Sequence, residues 1–226
     1  MIPHSKRRVS RRTSHLHENL VTGALSDVCD RYEIDPIELG HGHYGVVKKC
    51  KDKVTGEMFA IKSIRKVKVK RIEMLKREVE ILKEVNHPNI LKLKEVHEDE
   101  DYLHLVTELC TGGELFERII KKLKTPLGHY SEHDAAKLIH SILDAISYCH
   151  DEKGIVHRDL KPENFLFKTK AENSPIKIID FGLSRYDDEF DTMKTKVGTV
   201  SRPIPGVTFT LINFLLSTLI FAIVLN

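Results

Sequence analysis

Ile155-Val156-His157-Arg158-Asp159-Leu160-Lys161-Pro162-Glu163-Asn164 runs into the apolar Phe165-Leu166-Phe167, and after the strand-like Ile176 to Ile179 comes Asp180-Phe181-Gly182. Within this stretch Asp159, Lys161, Asn164 and Asp180 supply two carboxylates, an ammonium and an amide oxygen beside short strands. Hard oxygen donors suit Mg²⁺ and an ammonium suits phosphate, so the set fits a metal-bound triphosphate held next to a hydroxyl.

Working toward the N-terminus, Ser131-Glu132-His133-Asp134 has the form of a capping box, and Ala135, Leu138, Ile142, Ile146 and Cys149 follow at helical spacing until about Gly154. Arg71 to Val85 carries Ile72, Leu75, Val79 and Leu82 on one helical stripe, and Glu78 shares that inward face. A carboxylate there needs a cation. Lys62 is one partner for it; a flanking neighbour such as Lys76 or Lys83 is the other. Lys62 itself lies in a strand from Met58 to Ile64, where a period of two puts Met58, Ala60, Lys62 and Ile64 on one face. Before it, a turn at Asp52 to Gly56 joins this strand to Leu39-Gly40-His41-Gly42-His43-Tyr44-Gly45-Val46-Val47, a glycine turn between two apolar runs whose N–H groups can lie against phosphate oxygens. No long helix follows Gly45, which disfavours a dinucleotide-binding fold.

The chain has 226 residues, of which 41% are hydrophobic and 31% charged, so it can bury a core rather than remain disordered throughout. Lys6, Arg7, Arg8, Arg11 and Arg12 place five of the positive charges in the first twelve residues. The net charge of +3 therefore belongs to an N-terminal arm, expected to be flexible over residues 1–31, and no nucleic-acid partner is indicated for the folded part. The four cysteines form no C-x-x-C pair, which suggests neither a zinc cluster nor a disulfide framework, and a reducing, cytoplasmic setting is the default. Glu98 to Asp101 lacks the glycine and the last glutamate of an EF-hand. Val207 to Leu225 is a run of 19 mainly apolar residues, about 28 Å long as a helix, and so a candidate membrane span.

Taken together, the glycine loop, Ala60-Ile61-Lys62, Glu78, His157-Arg158-Asp159 with Asn164, and Asp180-Phe181-Gly182 resemble the eukaryotic protein kinases, in order and at family spacing. Lys161 and Gly198-Thr199 are similar to the serine/threonine branch. Pro162-Glu163-Asn164-Phe165-Leu166-Phe167 and Gly112-Gly113-Glu114-Leu115-Phe116 are similar to the calcium/calmodulin-regulated and calcium-dependent kinases. The resemblance implies an α+β fold of the protein-kinase type: a small antiparallel β lobe with a helix over 32–109, then an incomplete, mainly helical large lobe over 110–200.

It also implies ATP and Mg²⁺ as cofactors and protein serine or threonine hydroxyls as substrates. Leu39, Gly40, His41, Gly42, Gly45, Val47, Ala60, Thr107 and Leu166 would surround the nucleotide. Glu108 and Cys110 would bond adenine through their backbone, and Glu114 the ribose. Lys62, positioned by Glu78, would hold phosphates, while Asn164 and Asp180 would bind the metal. Asp159 would accept the hydroxyl proton and Lys161 would neutralise charge on the moving phosphoryl. Thr192, Thr195 and Thr199 are the activation-loop threonines. Glu114 and Glu163 would receive arginines placed upstream of the target residue.

The family pattern breaks after Val200, where Ser201-Arg202-Pro203 and the apolar tail replace the A-P-E motif and the helices that support the catalytic loop. The tail of 201–226 then reads as a membrane-associating anchor, as a cover for the apolar face those helices would pack on, or as the mark of a truncated gene model or retained intron, the last being favoured. Loss of the supporting shell is expected to lower the rate of this chain, and the alternative reading is a catalytically impaired nucleotide-binding kinase fragment or a tail-anchored scaffold. No EF-hand accompanies the kinase motifs, so the chain would not answer calcium by itself. Ser10 and Ser14 each follow an arginine by three residues. Phosphopeptide mapping after incubation with Mg-ATP is expected to find phosphate on both, and label confined to other residues would refute that expectation.

Overall fold

The computed structural model describes residues 21–42, 45–69, 72–124, 130–157, 160–181 and 185–186. They fall into two compact units, one reaching to Lys76 together with Leu93–Glu108, the other comprising Arg77–Lys92 and the residues from Leu109 onward.

The first unit is a five-stranded antiparallel sheet of order β1-β2-β3-β5-β4, made by β1 (Tyr32–Gly42), β2 (Gly45–Asp52), β3 (Met58–Arg65), β4 (Leu93–Glu98) and β5 (Tyr102–Glu108). Asp52 closes the turn from β2 to β3: its carboxylate accepts the N–H groups of Val54 and Thr55, and Gly56, at φ +75°, donates to its carbonyl. The alternation expected in β3 is present, with both faces covered. Ala60 and Ile64 are buried on the face that carries Lys62, while Phe59 and Ile61 on the other face pack with Val28, Tyr32, Cys50 and Val106.

That second face corrects the expected arm. Residues 21–31, expected from their composition to belong to the flexible extension, are bonded to the sheet. Val28 is buried in α1 (Val28–Arg31), which Asp27 caps, and its burial is worth about 1.5 kcal/mol or more. Arg31 reaches Asp52 at 3.1 Å and Glu95 at 3.1 Å. Glu98 is fully buried and accepts the N–H groups of Val21 and Thr22 and the Thr22 hydroxyl, while Lys66 meets its other oxygen at 3.2 Å. A four-residue helix is too short to show periodicity, and the Glu98 bonds span more than seventy residues of sequence, so composition alone placed the boundary too late. The acidic Glu98 to Asp101 stretch is the β4–β5 turn, in which Asp99 accepts the N–H groups of Asp101 and Tyr102 and the ring of His104 links it to Ser63.

In the second unit, α3 (Leu115–Leu123) and α4 (Glu132–Ser147) accompany two small hairpin-like pairs: β6 (Ile155–Val156) with β9 (Arg185–Tyr186), and β7 (Phe165–Phe167) with β8 (Ile176–Ile178). Ser131 caps α4 by accepting the Asp134 N–H at 3.1 Å, as its sequence predicts. Ala135, Ile142, Ala145, Ile146 and Cys149 form its buried stripe, and a π turn over Tyr148–Glu152 carries it to Gly154, at φ +61°. Asn89, Ile90 and Leu91 pair with β8, and Ile90 is buried, which ties this loop to the second unit rather than to the strands of the first. The helix α2 (Ile72–Glu84) has Leu75, Val79, Ile81 and Leu82 buried. Among the described residues no helix is long and apolar enough to cross a membrane; the candidate span at 207–225 lies outside them.

Two glycines of the expected phosphate loop differ in their packing. A Cβ on Gly45 would stand 2.1 Å from the Ser63 carbonyl oxygen, so β3 itself demands a glycine there, whereas a Cβ on Gly40 meets nothing within 4 Å. Gly45→Ala is expected to destabilise the nucleotide-free protein by about 1–3 kcal/mol, lowering Tm by several degrees, with Gly40→Ala within a degree or so of the parent; thermal unfolding reads both.

Candidate functional site

The first unit brings several candidate nucleotide residues onto one face of its sheet. In register, Gly40 stands opposite Val47, Val47 opposite Lys62, and Lys62 opposite Leu105; in the next row Ala60 stands opposite Thr107. Residues directly opposite in antiparallel strands share a face and lie about 5 Å apart. Val47, Ala60, Lys62 and Thr107 are thus neighbours on one surface, small and apolar at Ala60 and cationic at Lys62. Ala60 and Thr107 are buried, and Lys62 is half-buried. Leu39 lies where the β1–β2 register shifts, and is 45% exposed. His41 and Gly42 pair with Val46 and Gly45; residues 43–44 lie outside the described residues. Glu108 is the last residue of β5, opposite Phe59, and half-buried.

Glu78 is 5% exposed, which agrees with the inward face read from spacing. Of the two flanking alternatives, Lys76 lies 3.9 Å from Glu73 and Lys83 points outward.

In the second unit the β7–β8 hairpin carries the metal candidates. Phe165 pairs with Ile178, and one step further the Ile179 N–H donates to the Asn164 carbonyl at 2.9 Å. Asn164 is buried and ends a short 3₁₀ turn over Pro162–Asn164, its own N–H donating to the Lys161 carbonyl at 2.9 Å. Asp180 follows Ile179 at φ +63°, a left-handed conformation that costs a side-chain-bearing residue about 1 kcal/mol or more. Because Phe165 stands opposite Ile178, Asn164 and Asp180 flank the same open end of the hairpin. Phe181 is buried next to it, its ring centroid 4.7 Å from that of His157, and the His157 ring meets the Ile179 carbonyl at 3.2 Å. This pairing locks the backbone on both sides of Asp180. Among the described residues no group of three or more His, Cys, Asp or Glu could hold a metal alone. A carboxylate and an amide oxygen fit Mg²⁺ if phosphate and water oxygens complete its shell.

Thr111 to Glu114 lies along β7. Gly112 donates to the Phe167 carbonyl at 2.9 Å, Phe167 donates back to Gly113 at 2.9 Å, and Glu114 bridges Leu166. A Cβ on Gly112 would sit 2.1 Å from the Thr169 carbonyl oxygen, so the close approach requires glycine. Glu114 is the residue before α3, half-buried. Burial, and then the charges of Glu117 and Glu163, push its carboxyl above the ordinary value. A raised carboxyl favours the folded chain when protonated; that contribution is lost as pH rises through the raised titration, and a cation placed between Glu114 and Glu163 would offset it. Glu163 and Lys161 are exposed, Leu166 and Cys110 half-buried. Burial pushes the Cys50 thiol up to about 11 and that of Cys149 to about 12, which makes neither a nucleophile near neutral pH.

Asp159 lies outside the described residues, as do Thr192, Thr195 and Thr199. Sequence reasoning passed over Arg118, which grips the hairpin that carries Leu166, because its partners are more than fifty residues away.

The protein kinase domain model matches residues 35–202. The chain is 46% identical over 186 residues to calcium-dependent protein kinase 5 of Plasmodium falciparum, a match covering 82% of this chain and 32% of that protein. It is 52% identical to calcium-dependent protein kinase 14 of Arabidopsis thaliana, over 75% of this chain and 32% of the relative. To human calcium/calmodulin-dependent protein kinase type IV it is 47% identical, over 81% of this chain and 36% of the relative. The chain thus spans about a third of the length of the curated relatives it matches. With the ordered motifs, the five-stranded sheet and a domain match over most of its length, the chain belongs to the protein kinase domain family.

Proposed function

We propose that the chain transfers the γ-phosphoryl of ATP to serine or threonine hydroxyls of proteins, with a preference for sites that have arginine upstream. The observation that carries this reading is the β7–β8 hairpin, which presents Asn164 and Asp180 at one end with the backbone of Asp180 locked by Phe181 and His157.

Each residue then has a chemical task. Val47, Ala60 and Thr107, with Leu39, offer a surface for the adenine ring and Glu108 a backbone edge; in the second unit, Leu166 and the Cys110 backbone are the residues that the family resemblance assigns to the same nucleotide. Lys62 neutralises the α- and β-phosphates, and the family resemblance assigns to Glu78 the task of orienting it. Gly40, His41, Gly42 and Gly45 would leave backbone free to lie over the phosphates; the open space around Gly40 supports this, because none of the described residues requires a glycine there. Asn164 and Asp180 would hold Mg²⁺, which when bound would supply positive charge against the phosphates. Asp159 accepts the proton of the attacking hydroxyl and Lys161 stabilises the departing phosphoryl. The transition state spreads negative charge over oxygens, so positioning and fixed positive charge supply most of the acceleration. Burial and then the charges of Glu117 and Glu163 raise the Glu114 carboxyl, which supports reading Glu114 and Glu163 as receivers of a substrate arginine, since a guanidinium would answer that charge. Thr192, Thr195 and Thr199 are the candidate activation-loop residues.

Incubating the purified chain with labelled Mg-ATP and a serine peptide bearing arginine three residues before the serine is expected to label the peptide. Asp159→Asn should lower the rate by at least a hundredfold while keeping the nucleotide-induced rise in Tm. Absence of labelling alongside an intact thermal shift would contradict transfer and leave a nucleotide-binding protein.

A further inference from the structure

Arg118 has no part in the functions assigned above, yet its side chain is among the most fully engaged on the surface of the second unit. It stands in the first turn of α3, and its own N–H donates to the carbonyl of Glu114 at 3.1 Å. Its guanidinium lies 3.9 Å over the ring of Phe167. From that stacked position one terminal nitrogen donates to the carbonyls of Ala171 at 2.9 Å and Glu172 at 3.4 Å, and the other to Thr169 at 3.0 Å. Those carbonyls form the tip of the β7–β8 hairpin, which is closed by the Thr169 N–H on the Ser174 hydroxyl at 2.8 Å. One turn further along α3, Lys122 pairs with the Glu172 carboxylate.

The start of α3 is therefore held to the hairpin twice: before Glu114 by the backbone rungs from Thr111 to Gly113, and after it by Arg118. Glu114 sits between the two attachments. A planar guanidinium can stack on a ring and donate in its plane to several carbonyls at once, which a lysine ammonium cannot do. Glu163 immediately precedes Asn164 and β7, so the same hairpin that Arg118 grips also carries the second acidic residue.

We infer that Arg118 is a positioning residue for substrate selection: by clamping the first turn of α3 to the β7–β8 hairpin it keeps Glu114 beside Glu163 and so sets the preference for arginine upstream of the target hydroxyl. The inference rests on the acidic-pair reading under Proposed function and adds the residue that holds the pair together.

Binding of two fluorescent peptides, measured by anisotropy on the full chain, tests this without requiring turnover. One is an Arg-X-X-Ala peptide that cannot be phosphorylated, and the other has alanine in place of the arginine. The parent chain is expected to prefer the arginine peptide. Arg118→Ala should cut that preference about tenfold, and Arg118→Lys should cut it about threefold, since the charge remains but the stacked fork is lost. Faster exchange of the Phe167 amide in Arg118→Ala should accompany the change, reporting the loosened ladder. An unchanged preference in Arg118→Ala overturns the inference. So does equal weakening of both peptides, which would mark a purely structural role, and so does a parent chain with no preference. A parent that labels serine peptides without any arginine preference leaves the kinase reading standing while this one falls. A parent that prefers arginine through Arg118 yet transfers no phosphate does the reverse.

Discussion

The hydrogen bond from the Ile179 N–H to the Asn164 carbonyl is short in sequence terms only for a hairpin, and much of the second unit depends on it. It extends the β7–β8 ladder by one rung and brings an amide side chain and a carboxylate to one end of two very short strands. Strands of three residues have little stability of their own. Here they gain it from the buried rings of Phe165, Phe167 and Phe181 and from Ile176 and Ile178, with Ile90 pairing on the outside of β8. The unfavourable backbone of Asp180 persists because the residues on either side have no freedom to relax: Ile179 is bonded, and Phe181 is buried against His157.

The sheet of the first unit solves a different problem. A lysine on a strand faces a desolvation cost unless its surroundings or a ligand answer its charge. Antiparallel register puts Lys62 beside Val47 and Leu105, with Ala60 and Thr107 in the adjoining row, so a narrow apolar surface ends at a cation. The opposite face of the same strand is covered by Val28 and Tyr32, which are recruited by a segment fastened through Glu98 and Arg31. The candidate nucleotide face of β3 is thus backed by packing on the other, and the chain preceding β1 contributes to that packing.

How far these features could be read in advance follows from the distance over which each is determined. Period two in β3, the inward place of Glu78, the Ser131 cap and the turn at Asp52 are local patterns, and they emerge from a window of a few residues. The opposition of Ala60 and Thr107 is not local, but the family motifs implied it because motif order carries the fold with it. What composition could not supply was the docking of residues 21–31, since a single turn of helix and three bonds to one buried carboxylate leave no periodic trace. The same holds for Arg118, whose carbonyl partners have no side-chain signature, and for Gly45, which packing against the Ser63 carbonyl explains as fully as phosphate binding does.

The central claim is that the β7–β8 hairpin holds Asn164 and Asp180 as a magnesium site for a nucleotide. Isothermal titration of Mg-ATP into the parent chain and into Asn164→Ala and Asp180→Asn, each repeated with ATP in the presence of a chelator, tests it most directly. The account predicts magnesium-dependent binding by the parent, with affinity for Mg-ATP falling at least tenfold in both variants and little change between them in chelator. Equal affinity for Mg-ATP in all three proteins, or binding by the parent that does not depend on magnesium, would contradict it.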